Sequence, residues 1–301
     1  MDDLTTRRLA VIKQLYKLGI SQSYDSEPMS GFCLLSFHDS VEMFMKLCAD
    51  IRNVTRRQKV FFGDYFTLIP ELQCQPTMAN LNNKRVSLKH YGTLPSKLDV
   101  EISRANVSDF FIQNTPIFFN IAFDDISLIS LIKYDTVRQY LELAVENMSG
   151  QNFESAIINS QIAFEELLLC YEGDKYHDWQ SPFHTLEGID PIISSRLRDV
   201  FGDEFNNYKN QIQKSLFSLR DAIKILGYGL DYKKYAKFKI LTPYLNCWYK
   251  EGGGREYETR RNDKINYSKK NAEFCFDFVI DSYLKLQEYD FDVSELYFKL
   301  E

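Results

Sequence analysis

Between Gly31 and Arg52, Leu34, Phe37, Val41, Phe44, Cys48 and Ile51 recur at spacings of three and four. That spacing lays the apolar side chains along one stripe of an α-helix and turns the polar residues outward. A half-buried strand alternates every second residue instead, so a chain dominated by the first period cannot fold as a sheet protein. Looser versions cover Thr5 to Leu18, Met78 to Tyr91, Asp99 to Phe123, Thr136 to Met148, Phe153 to Tyr171, Ile192 to Leu226, Tyr232 to Trp248 and Asn266 to Glu288. Alternating runs are scarce. The expected fold class is therefore all-α, a multi-helix bundle, and 301 residues with 45% hydrophobic content suffice for one large or two modest cores.

Punctuation places the boundaries. Gly19, Gly92 with Pro95, Asp135-Thr136, Gly150 and Gly252-Gly253-Gly254 mark helix ends or turns. Pro116 is expected to kink or split its helix near Asn114. Glu172 to Pro191, with His177, Trp179 and His184, reads as a long irregular connection, a lid or a packing loop. An internal echo links Phe32 to Phe44 with Ala156 to Leu168, and Val107 to Phe123 with Tyr267 to Tyr283. It suggests two helical domains, residues 1–132 and 133–301, related by duplication or alike through convergent amphipathicity.

Cys33, Cys48, Cys74, Cys170, Cys247 and Cys275 lie singly, without zinc-site spacing, and read as thiols of a reducing compartment. No apolar run reaches membrane-spanning length and the N-terminus lacks a signal-sequence pattern, so a cytoplasmic location without membrane contact is expected. Neither a metal nor a cofactor is expected. The net charge of −6 gives no global pull towards nucleic acid, so an RNA contact would rely on local basic patches. No P-loop, Gly-x-Ser-x-Gly, His-Glu-x-x-His or dinucleotide fingerprint is present.

The chemistry-bearing candidate is Asn82 to Gly92, where Arg85 and His90 are separated by four residues near the end of a predicted helix. An imidazole moves protons near neutral pH, and a guanidinium neutralises a phosphate that gains charge in the transition state. Together they suffice for attack of a ribose 2′-OH on its own phosphate, which DNA lacks the hydroxyl to undergo. Five residues on an undistorted helix put the two side chains about 140° apart. Convergence therefore needs the helix to end or distort near His90, or a second copy across a two-fold axis. Lys84 and Lys89 could dock phosphate, and Asn82, Asn83 and Ser87 could orient the histidine or the RNA backbone. The plainer reading is a solvated helix end, with Arg85 in a surface ion pair and His90 favoured by the helix dipole.

His38, next to Asp39, is either a second acid/base group or an inert histidine at the core edge. Arg56 and Arg57 lie in a basic stretch that could track a phosphate backbone. Tyr232, Tyr235, Phe238 and Leu241, interleaved with lysines, read as a core stripe. The triglycine stretch before Arg255, Arg260 and Arg261 reads as a basic turn that could touch RNA.

The apolar helix with its late acidic residue from Ser36 to Phe44, then Arg85-x4-His90, then the aromatic-rich helix from Val107 to Phe123, resembles the HEPN superfamily of all-helical prokaryotic ribonucleases. The resemblance spans roughly residues 30 to 130. It implies that Arg85 and His90 form the active site, usually across a homodimer, and that the second half is at most a degenerate copy. It also implies a metal-independent endoribonuclease of the toxin or abortive-infection kind, restrained by an antitoxin or a sensor protein. The alternative is a non-catalytic helical adaptor that binds a nucleotide, an RNA or a protein in a defence system.

Overall fold

Helix α1 (Asp3–Gln22) starts where the Asp2 carboxylate accepts a hydrogen bond from the Thr5 amide at 2.7 Å, an N-cap that satisfies one of the free amides of a first turn. It continues through Gly19, where the sequence reading places a helix end. Gly19 lies against α2 (Cys33–Ile51), and a Cβ there would come within 2.6 Å of Phe37 Cδ1. The glycine serves close helix packing, not termination. The computed structural model describes residues 2–54, 60–175, 211–212, 215–249, 254–260, 262–288 and 290. The chain divides into two compact units, Met1–Leu131 and Ile132–Glu301.

In the first unit, α2 is the central element. Its expected stripe is realised as far as Cys48, with Leu34, Phe37, Val41, Phe44 and Cys48 fully buried, whereas Ile51 in the last turn is exposed. Phe44 meets the edges of Phe110, Phe111, Phe118 and Phe119 at 5.4–6.4 Å between ring centres. Those four rings belong to α5 (Lys97–Phe119), which is continuous across Pro116 and so is not split there. Its end comes at Asn120, which takes the left-handed conformation at φ 57°. A short α3 (Tyr65–Leu68) leads to α4 (Gln75–Tyr91), which packs against both α2 and α5. The buried Asn114 side chain of α5 accepts from the Gln73 amide at 2.8 Å and donates to the Phe110 carbonyl, which docks the chain entering α4. Gly92, at φ 65°, caps α4 by donating to the Leu88 carbonyl, as its position in the sequence suggested.

In the second unit, α6 (Asp135–Ser149) and α7 (Phe153–Lys175) pack along each other, and α10 (Lys269–Leu286) lies against α7. Residues 215–227 form α8, and α9 is Tyr232–Leu241. Phe164, Phe238 and Phe278 make the core, with ring centres 4.7–5.2 Å apart. The sequence reading extends α9 to Trp248. The structure instead turns at Pro243, whose ring forces Thr242 into an extended conformation. Tyr244–Tyr249 (β1) then pairs antiparallel with Arg255–Arg260 (β2), with Trp248 opposite Glu256. This hairpin is the one departure from an all-α fold among the described residues. It is pinned to α7 by Glu166, whose buried carboxylate accepts from Arg255 and, at 2.6 Å, from the Tyr257 hydroxyl.

All six cysteines are free thiols. No helix among the described residues is long and apolar enough to cross a membrane. The Gly19 contact gives a direct check on the first unit. Gly19→Ala is expected to lower stability by about 1–3 kcal/mol through overpacking against Phe37, measured by urea denaturation, and an unchanged midpoint would refute that contact.

Candidate active site

Helix α4 buries Met78, Leu81 and Leu88, while Arg85 is half-buried. These positions are separated by three, seven and, with Arg85 included, by three, four and three residues. Arg85 therefore stands on the inward stripe, where an amphipathic helix ordinarily carries an apolar side chain. Its Nε is buried without a hydrogen-bond partner, and no acceptor or ion pair is within bonding distance of the guanidinium among the described residues. An unsatisfied buried N–H costs about 1–3 kcal/mol. Such an arginine is poorly explained by packing and well suited to receiving an anion.

The wall beside it comes from α2. His38 and Glu42, one turn apart, face Asn82 and Arg85 of α4. The His38 ring is 3% exposed and stacks on Phe62 with centres 4.4 Å apart. Its Nε2 is 3.0 Å from Asn82 Oδ1, and its Nδ1 is 3.3 Å from Asp39 Oδ1. Burial pushes the His38 pKa below its ordinary value, the neighbouring Arg85 charge acts the same way, and the contacts to Asp39, Asn82 and Glu42 only partly offset this. The ring is thus neutral at neutral pH. A neutral imidazole carries one N–H, so its tautomer decides which of the two contacts takes the proton. Burial raises the Glu42 carboxyl, but the hydrogen bond and charge of Lys46, with smaller contributions from His38 and Arg85, bring it below the usual range.

His38, Asp39 and Glu42 present ligand atoms within 4.8 Å of one another. Lys46 Nζ already holds Glu42 Oε1 at 2.7 Å, and Arg85 adds a second positive charge beside the same groups. Like charge so close opposes a divalent ion.

The remaining candidate residues distribute around α4 as its period dictates. His90 is exposed in the last turn, about 140° round the helix from Arg85. Because α4 runs unbroken to Tyr91, nothing within one chain swings the two side chains together. Asn82 turns to His38. Lys84, on the opposite flank, reaches α5, where its Nζ meets Asp99 Oδ1 at 2.8 Å. Asn83 and Lys89 are exposed and Ser87 is half-buried. Arg56 and Arg57 lie outside the described residues, as do His177, His184 and Arg261.

The sequence reading singled out Arg85 but not what surrounds it. It had Glu42 only as the late acidic residue of its helix, and the His38–Asn82 contact escaped it. One signal was available: a charged residue where the stripe of Met78, Leu81 and Leu88 calls for an apolar one. No protein family, curated protein or solved structure matches the chain.

The Lys84–Asp99 pair is testable through its titration. The Lys84 bond, followed by those from Ser96, lowers the Asp99 pKa from its ordinary 3.8 to about 2. A carboxyl depressed on folding adds stability that is present above its unfolded pKa and is lost as pH falls through the folded one. That window runs here from about pH 4 down to about pH 2. Lys84→Met is expected to move the Asp99 titration, followed by carboxyl NMR, back towards 3.8. An unmoved titration would show that the pair does not form.

Proposed function

We propose that this chain is a metal-independent endoribonuclease that cleaves RNA by 2′-OH attack, acting as a toxin or antiphage effector in a reducing cytoplasm. The observation that carries this reading is Arg85: a guanidinium on an interior stripe, with its Nε unsatisfied, on the same helix as a solvent-facing imidazole. Stability alone disfavours that placement, and binding of a phosphate group accounts for it.

In the proposed reaction Arg85 compensates the charge that builds on the non-bridging oxygens. One imidazole removes the 2′-OH proton as its oxygen bonds to phosphorus, and a second returns a proton to the departing 5′-oxygen. The products are a 2′,3′-cyclic phosphate and a 5′-OH. Since Arg85 and His90 diverge on one helix, a second copy of the chain supplies the complementary pair, and the active species is a homodimer. Lys89 and Asn83, both exposed, are the residues of the motif left to meet the RNA backbone, with Ser87 at the edge. The HEPN resemblance adds that an antitoxin or sensor protein restrains the enzyme.

Purified protein incubated with total RNA in EDTA is expected to yield 2′,3′-cyclic phosphate ends. Arg85→Ala and His90→Ala should each slow cleavage by at least about 100-fold without loss of helical circular dichroism. Full cleavage by either variant would remove the proposed site, and intact RNA with the wild-type dimer would favour the adaptor.

A further inference from the structure

His38 is too deeply buried to touch a substrate, yet it makes the side-chain contact that ties α2 to the Arg85 face of α4. The apolar hold on α4 is thin. Its buried side chains are Met78, Leu81 and Leu88 across 17 residues, so between Leu81 and Leu88 the stripe has a gap of two turns with no fully buried side chain, and Arg85 holds the stripe position there. Asn82 lies three residues before Arg85 and thus on nearly the same side of the helix. Whatever fixes Asn82 also fixes the rotation of α4 about its axis at the level of the guanidinium. His38 does so from a rigid mount, stacked on Phe62 and anchored in the best-packed helix of the unit.

We infer that His38 is a positioning residue for Arg85: through its hydrogen bond to Asn82 it sets the rotation of α4 that keeps the guanidinium beside Glu42 and short of a protein acceptor. A neutral ring suits this role, because an imidazolium there would repel Arg85. The significance for RNA rests on the ribonuclease reading, whereas the clamp itself can be tested without RNA.

The direct readout is solvent exchange of the Arg85 Nε proton, observed by 15N NMR and assigned by its disappearance in Arg85→Lys. In the wild type, burial of Nε should make this exchange slow. His38→Ala is expected to speed it by at least about 10-fold, with amide protection in the middle of α2 unchanged. His38→Gln, whose amide can still hydrogen-bond Asn82, should restore it to within about threefold of the wild type. If His38→Ala does not fold, Asn82→Ala cuts the same link from the surface of α4 and should give the same acceleration. Exchange that stays slow when the link is cut would overturn the inference. With a 2′-O-methyl oligoribonucleotide, His38→Ala should weaken binding about 10-fold in the wild type and not at all in an Arg85→Ala background. Equal losses in both backgrounds would mean that His38 acts independently of Arg85, which also overturns it. If the wild type neither binds nor cleaves RNA, the ribonuclease reading fails, and the exchange rates still decide the clamp.

Discussion

The first unit turns on a guanidinium held where a helix should present an apolar side chain. With Met78, Leu81 and Leu88 committed to the core, Arg85 inherits an inward direction from the helical period alone. Having no acceptor for its Nε, it sits in a place that packing cannot reward. The surrounding contacts make sense as the means of keeping it there. Glu42 supplies nearby negative charge but is itself engaged by Lys46, so the arginine is stabilised without being captured.

The two flanks of α4 are secured by polar contacts rather than by apolar area. On one side Asn82 meets His38, and on the other Lys84 meets Asp99, whose carboxylate also accepts from Ser96 at the start of α5. The entering chain is fixed by Asn114 and the exit by the left-handed Gly92. A helix held at both ends and on both flanks can leave its middle inward position to a charged group, and its outer face, with His90, Lys89 and Asn83, open to solvent.

Much of the fold was legible because it depends on local periodicity. The α2 stripe, the cap at Gly92 and the helices of both units follow from spacings of three and four. The misses have physical causes that lie beyond the local pattern. Gly19 read as a stop because its role depends on Phe37, far along the chain. The hairpin after Pro243 was hidden because Tyr244 to Trp248 continues the apolar content of α9, and only the proline and the pairing partner distinguish strand from helix. At the site, sequence gave Arg85 and His90 as a pair by spacing. The structure relates Arg85 instead to His38, Asn82 and Glu42, a long-range arrangement that spacing within α4 could not disclose.

The central claim is that Arg85 occupies an interior position at a cost to stability. Replacement by Met, which keeps an unbranched side chain as far as the position of Nε while removing the charge and donors, measures this directly. Chemical denaturation of Arg85→Met should give an unfolding free energy higher than the wild type by on the order of 1 kcal/mol. A decrease of similar size would contradict the claim, because it would mean that the guanidinium is satisfied where it lies.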